Sequence, residues 1–255
     1  MTAPRLGEWL REGPFALAMS SGFFGFFAHC GALTVLEDEG LLPSRLSGSS
    51  AGALVTGAWA GGLDAVRLSD ELARVRREDF WDPHPGAGLL RGALFRARLE
   101  ELLPTQDFAS CRARVAVSTY DVLARTTRVI DSGPLAPALH ASCAVPFMFH
   151  PVRLGGRLLV DGGVADRPGL AGMPAGTRVL FHHLASRSPW RRVGSTSMEI
   201  PSRPGLVAVA ILGLPRVGPF RLHQGVRAFD AARRAMRDAL NRPVKGGAVH
   251  VHAQA

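Results

Sequence analysis

The residues with the clearest chemical potential are Gly48-Ser49-Ser50-Ala51-Gly52, a Gly-x-Ser-x-Gly run between a short apolar stretch and one rich in Ala, Leu, Val and Trp. That order reads as strand, sharp turn and helix, with Ser50 at the apex, the layout of a nucleophile elbow. Gly48 and Gly52 let the strand and helix backbones come close, and an apex serine can hold a strained conformation that presents its hydroxyl. The first N–H groups of the helix then face any negative charge that develops there. The chemistry such a serine performs is nucleophilic attack on a carbonyl, the opening step of acyl transfer. In a chain with 29 glycines the same five residues also occur in ordinary loops, so a partner group has to decide the matter.

A second constellation supplies that partner. Ala141-Ser142-Cys143-Ala144-Val145-Pro146 precedes two short apolar runs around Gly155-Gly156, and the second run passes directly into Asp161-Gly162-Gly163. The Gly-Gly pair predicts a β-hairpin. A carboxylate at the end of a strand, followed by two glycines that permit an abrupt turn, sits where α/β proteins place catalytic groups. Taken alone, an aspartate that hydrogen-bonds its own turn is the commoner reading.

Both constellations need elements to position them. The pattern predicts a buried strand over 15–19, a turn over 20–25 and a helix over 26–39 ended by Gly40. A short strand over 43–48 leads into the elbow, and a helix over 51–60 leaves it, stopped by Gly61-Gly62. Asp64 is placed to cap an arginine-rich helix reaching residue 77. The stretch 80–88 reads as loop, 92–103 as helix, and 114–119 and 126–130 as strands. A helix over 135–143, the hairpin, and a strand over 178–181 ending in His182-His183 with one ring buried follow. Residues 205–212 then read as a core strand, and 224–242 as an amphipathic helix.

Taken together, the ordered set resembles the patatin-like phospholipase family. Residues 19–31 correspond to its glycine-rich oxyanion loop and following helix, Gly48 to Gly52 to its nucleophile motif, and 141–146 with Asp161-Gly162-Gly163 to its catalytic aspartate region, so that the likeness spans roughly 15–170. The resemblance implies a three-layer α/β/α sandwich with a mostly parallel central sheet. It also implies a serine–aspartate dyad without histidine: Ser50 as nucleophile, Asp161 as base, and main-chain N–H groups of Gly22, Phe23, Phe24 and Gly25 as the oxyanion hole. The implied substrate is a lipid or other acyl ester, hydrolysed as by a phospholipase A, lysophospholipase or carboxylesterase, and no cofactor or metal is implied.

One departure bears on substrate. The family's loop is usually Gly-Gly-Gly-x-Arg/Lys-Gly, whereas Ser21, Gly22, Phe23, Phe24, Gly25 and Phe26 stand here. The loop therefore carries no cation for a phosphate, while its N–H groups remain. At least two of the four phenylalanines 23, 24, 26 and 27 are expected in the core. Two other readings stand beside this one. An α/β-hydrolase triad would join Ser50 and Asp161 to His182, His183 or His223, although few strands precede Ser50 and Asp-Gly-Gly is not that fold's acid motif. A non-catalytic lipid-binding relative would have its site filled by the phenylalanines.

Composition bounds the rest. With 255 residues, 47% of them apolar, the chain suffices for one α/β domain over its whole length, and no linker-like break divides it. The formal charge is +9 with Lys245 the only lysine, and the arginines are scattered without aromatic interleaving, which argues against nucleic acid. Cys30, Cys111 and Cys143 lack metal or disulfide spacing. The uncharged run 14–36 is broken by Ser, Gly and His, so it reads as strand, turn and helix rather than as a membrane span, and a cytoplasmic protein is expected. The basic helix over 224–242, with Val226, Phe229, Met236 and Leu240 near one face, suggests reversible peripheral association with anionic membranes.

Overall fold

The computed structural model describes residues 3–185 and 199–253. After a short α1 (Leu6–Arg11), the chain forms β1 (Ala16–Met19), α2 (Phe26–Asp38) and β2 (Arg45–Ser49), and α3 (Ala51–Ala60) leaves β2 after a single residue. α4 (Ala65–Arg74), β3 (Gly88–Leu90) and α5 (Ala93–Leu102) lead to the hairpin of β4 (Arg114–Asp121) and β5 (Thr126–Ile130). α6 (Leu135–Ser142) and β6 (Phe147–Phe149) precede a second hairpin, β7 (Val152–Leu154) and β8 (Arg157–Asp161). β9 (Val179–Leu184), β10 (Leu206–Leu212), α7 (Gln224–Leu240) and β11 (Ala248–His252) complete the order.

The central sheet runs β11-β10-β9-β1-β2-β4-β8-β7, with β5 also on β4. Its pairs from β11 to β4 are parallel, while those of β4 with β8 and β5, and of β7 with β8, are antiparallel. The chain first builds outward from β1 through β2 and β4, then returns to the other side of β1 with β9. The carboxyl ends of β1 and β9 thus flank the point where strand order reverses, the place where open α/β sheets bind ligands, and β2 ends beside it.

Alternation along the strands sorts the core into two faces. Leu17, Met19, Leu180, Val207, Val209 and Ile211 pack with the helices, while Ala16, Ala18, Val179, Phe181, Leu206 and Ala208 pack on the other side. The sheet is the middle of three layers. The outer ones are the helices and, among the described residues, the irregular chain through Leu170, Met173 and Ile200. This is a mixed α/β fold with a large, mostly parallel central sheet.

Local chemistry explains most boundaries. Gly40 at φ 65° ends α2's turn, and the Asp64 carboxylate accepts from the Arg67 N–H at 2.7 Å to cap α4. That helix stops at Arg74 rather than 77, where residues 77–79 form a separate 3-10 turn. Gly155 and Gly156, at φ 55° and 72°, make the tight turn of the β7–β8 hairpin. Three short elements, α1, β3 and β6, carry too few residues for a periodic signal, while β11 does alternate, Val249 and Val251 inward and His250 and His252 outward, and is added by the structure. Two expectations are corrected. His182 and His183 are both buried, where one buried ring is expected, and the strand runs past them to Leu184. The buried stripe of α7 is mainly alanine with Met236 and Leu240, Val226 is exposed, and Arg233 and Arg237 both pair with Asp38 of α2. No helix among the described residues is long and apolar enough to cross a membrane.

Candidate functional site

Ser50 is the single residue between β2 and α3, at φ 52° and ψ −120°. For a residue with a Cβ this is a costly backbone region, persisting only where surroundings over-determine it. Here they do. The Ser50 N–H donates to Ser142 Oγ at 2.9 Å, that hydroxyl donates to the Ser118 carbonyl at 2.7 Å, and the Cys143 thiol donates to the Ser50 carbonyl at 3.3 Å. A Cβ on Gly52 would collide with the Met19 carbonyl, and one on Gly48 would lie 2.5 Å from the Ala53 nitrogen. These two glycines serve close backbone approach, and neither has positive φ.

Register places Asp161 opposite the elbow. Ser49 pairs with Ser118 in parallel, so Ser50 is level with Thr119, and Thr119 pairs with Asp161. The two backbones are therefore two strand spacings apart, about 9–10 Å. Asp161 is 6% exposed, and its Oδ1 accepts from the Gly163 N–H at 2.7 Å. Gly162 and Gly163 were expected to permit an unusual turn, yet neither has positive φ. What requires glycine is space: a Cβ on Gly162 would strike the Ser118 carbonyl, and one on Gly163 would come within 2.6 Å of Ser21 Oγ.

The loop after β1 forms the third side. The Ser21 N–H donates to the Arg167 carbonyl at 2.7 Å and the Gly25 N–H to the Gly22 carbonyl at 2.8 Å, which closes a turn. Gly25, expected among the oxyanion donors, therefore has its N–H engaged. Those of Gly22, Phe23 and Phe24 donate to no partner among the described residues. Of the phenylalanines, Phe27 is in the main core and Phe26 packs against it, while Phe24 joins a smaller cluster with Phe80 and Phe23 remains 37% exposed.

Two cavities meet at this point and share Gly22, Phe23, Phe24, Ser50 and Val145. The wider, about 750 Å³, adds Asp161, Ser21, Gly163, Arg167 and Arg216. The smaller, about 140 Å³, runs among α3, α4 and α5 and is lined by Leu54, Ala58, Leu72, Phe95, Leu99 and other apolar groups, with Glu71, Asp79 and Arg98 at its margin. Among the described residues no histidine lines either one. His29 and His182 instead contact each other through their Nδ1 atoms at 2.8 Å, and His29 Nε2 meets the Ser20 carbonyl at 2.7 Å. Burial lowers the His29 pKa to about 3 and holds that of His182 well below its usual value, while His223 is exposed at the start of α7. His183 is buried as well, so none of the three candidates, His182, His183 and His223, lines a cavity with Ser50. Burial, and then the Asp161 carboxylate, push the Cys143 thiol up, which disfavours a thiolate beside the serine.

Motif reading did not find several residues of this site. Ser142 lies inside the recognised stretch but bears no signal of its own. Asp166 accepts from the Ser118 hydroxyl at 2.6 Å and from the N–H groups of Gly169, Leu170 and Ala171, fixing the chain after β8. Arg167, 4% exposed, donates to the Leu184 carbonyl at 2.8 Å and brings to the cleft wall a cation that the loop after β1 lacks. Among the described residues no group of three or more His, Cys, Asp or Glu is arranged to hold a metal ion.

Comparison with known proteins agrees with this architecture. An uncharacterized NTE family protein of Mycobacterium tuberculosis is 31% identical over 159 residues, covering 59% of this chain and 43% of the relative. Lysophospholipase NTE1 of Scheffersomyces stipitis is 24% identical over 169 residues, 64% of this chain and 11% of the relative. The chain thus spans less than half the length of these curated relatives. Among solved structures, VipD from Legionella pneumophila matches with a TM-score of 0.63 at 13% identity, over 94% of this chain and 67% of that one, a likeness of fold. The family model for patatin-like phospholipases matches residues 17–172, and the chain belongs to that family.

Proposed function

We propose that this protein is a serine hydrolase that cleaves acyl esters of lipids through an acyl-enzyme on Ser50, with Asp161 as the base. The observation that carries the reading is the junction itself: a serine held at positive φ where an apolar cavity meets a wider cleft that also contains Asp161. In this mechanism Ser50 Oγ attacks the ester carbonyl while Asp161 takes its proton, and the N–H groups of Gly22, Phe23 and Phe24 stabilise the oxyanion. The proton passes to the leaving alcohol, and water then attacks the acyl-enzyme with Asp161 again as base. The acyl chain occupies the small cavity and the rest of the lipid the wide one. An apolar cavity of about 150 Å³ stays dry and accepts a benzene-sized guest, so the chains accommodated without rearrangement are short to medium, roughly six to eight carbons. The lysophospholipase named above supports a lipid substrate in kind, and Arg167 supplies a positive wall for an anionic group.

The test is active-site labelling. A fluorophosphonate probe should modify wild-type protein on Ser50, and Ser50→Ala should not label. Ser50→Ala and Asp161→Asn should each remove hydrolysis of a p-nitrophenyl butyrate, with the double variant little worse than either, because groups that act as a unit are not additive. Absence of labelling in folded wild-type protein would favour the non-catalytic lipid binder. A loss of several orders of magnitude in His182→Ala or His183→Ala, with the fold intact, would favour the triad.

A further inference from the structure

The mouth of the wide cleft carries apolar side chains that the fold leaves in solvent. Phe147 is 81% exposed, Val164 41% and Phe23 37%, and all three line that cleft. Phe147 is the most telling. It sits at φ 65°, a conformation that costs a residue with a Cβ energy, yet its ring gains no burial in return. Its neighbours impose the conformation: Met148 and Phe149 both donate their N–H groups to the Val145 carbonyl, and β6 pairs with β3 through Gly88 and Leu90. An aromatic ring held outward at a cleft mouth, with exposed Arg216 on the same cleft, combines an apolar anchor with positive charge. That pairing suits the boundary region of an anionic bilayer, where apolar groups insert and arginine faces the head groups. α7, the more obvious basic element, is less suited, because Arg233 and Arg237 are tied to Asp38.

We propose that Phe147, Phe23 and Val164, with Arg216 beside them, form a lipid-docking rim that seats the cleft mouth on an anionic membrane surface. The inference rests on the function proposed above only for the identity of the substrate. Docking itself is independent of hydrolysis, and membrane-borne ester then enters the cleft without crossing water.

The experiment uses full-length Ser50→Ala protein and sucrose-loaded vesicles of phosphatidylcholine, with or without phosphatidylglycerol. Co-sedimentation should be at least tenfold stronger with the anionic vesicles at low salt and should fall as salt rises. Phe147→Asp should weaken partitioning at least tenfold, Arg216→Glu should weaken it severalfold and flatten the salt dependence, and Arg227→Glu on the exposed face of α7 should change little. Circular dichroism should show each variant folded. Equal binding by Phe147→Asp and its parent overturns the rim, as does an Arg227→Glu effect larger than that of Arg216→Glu, which would place docking on α7. Lack of binding to either vesicle at low salt also overturns it. Hydrolysis of p-nitrophenyl butyrate by the wild type separates the two readings. Hydrolysis with rim-independent vesicle binding defeats only the rim, and rim-dependent binding without hydrolysis defeats only the enzyme.

Discussion

Ser50 is held in its unfavourable conformation by two hydrogen bonds to its own backbone, one accepted by Ser142 Oγ and one donated by Cys143. Ser142 is the more consequential of these, because its hydroxyl also donates to the Ser118 carbonyl and so ties the elbow to β4. Removing it leaves a buried donor and acceptor without a partner, which costs about 1–3 kcal/mol. We expect Ser142→Ala to fold, to lower kcat by about tenfold, and to leave KM for a short ester within about twofold, since the loss falls on orientation of Ser50 and not on binding. Steady-state kinetics with the fluorophosphonate labelling rate reads this directly. An unchanged kcat and labelling rate in a merely less stable protein would make Ser142 a structural residue.

At the scale of elements, the small cavity owes its size to how α4 and α5 are held. Arg98 on α5 donates to Glu71 of α4 at 2.6 Å and to Glu101 at 2.8 Å, and its bond to Glu71 is the polar contact between the two helices among the described residues. Arg98 is 39% and Glu71 18% exposed at the side chain, so the pair contributes little to stability by itself. Its position at the cavity margin lets it act as a latch on acyl length. Breaking it with Glu71→Gln should open the gap between the helices to longer chains. Two further methylenes buried at about 0.8 kcal/mol each amount to roughly a tenfold gain in kcat/KM. The ratio of decanoate to butyrate ester hydrolysis should therefore rise by about that factor, while Ala58→Phe, which fills the cavity, should lower it. A p-nitrophenyl ester series measures both. Identical chain-length profiles in all three proteins would show that the acyl chain lies elsewhere.

For the whole molecule, the buried histidines set a pH limit on stability. Burial lowers the His140 pKa to about 4 and that of His29 to about 3, with His182 also well below its usual value. Each takes up a proton more readily unfolded, near pH 6.5, than folded. The stability of keeping them neutral is fully present above that pH and is lost as pH falls toward the folded values, by at most about 1.4 kcal/mol per pH unit for each histidine. Urea unfolding should show stability falling from pH 7 to pH 5. His140 is the clean probe, because neither ring nitrogen has a hydrogen-bond partner among the described residues and the ring sits against Phe95 and Phe149. His140→Phe should make that fall shallower. An unchanged slope would mean that His140 does not titrate in this range.

The sequence by itself determined the strand–turn–helix around Ser50, the hairpin leading to Asp161, and the mixed α/β class, because these depend on short-range signals: small residues at a turn, Gly-Gly between strands, and periodic apolar runs. It also carried enough ordered motif to indicate the family. Other features depended on the tertiary structure. Gly162 and Gly163 are required by the nearness of Ser118 and Ser21, contacts more than forty residues away in the chain and invisible to any local rule. The pairing of Arg233 and Arg237 with Asp38 turned an apparently lipid-facing helix surface into a helix–helix contact. The burial of His182 against His29 keeps that ring out of both cavities lined by Ser50, which chain order alone does not show. The outward ring of Phe147 and the cation of Arg167 at the cleft wall likewise follow from how β6, paired with β3, and the chain after β8 are brought to the same cleft. Local chemistry decides which backbone forms an element, but only packing decides which side chains share a cavity.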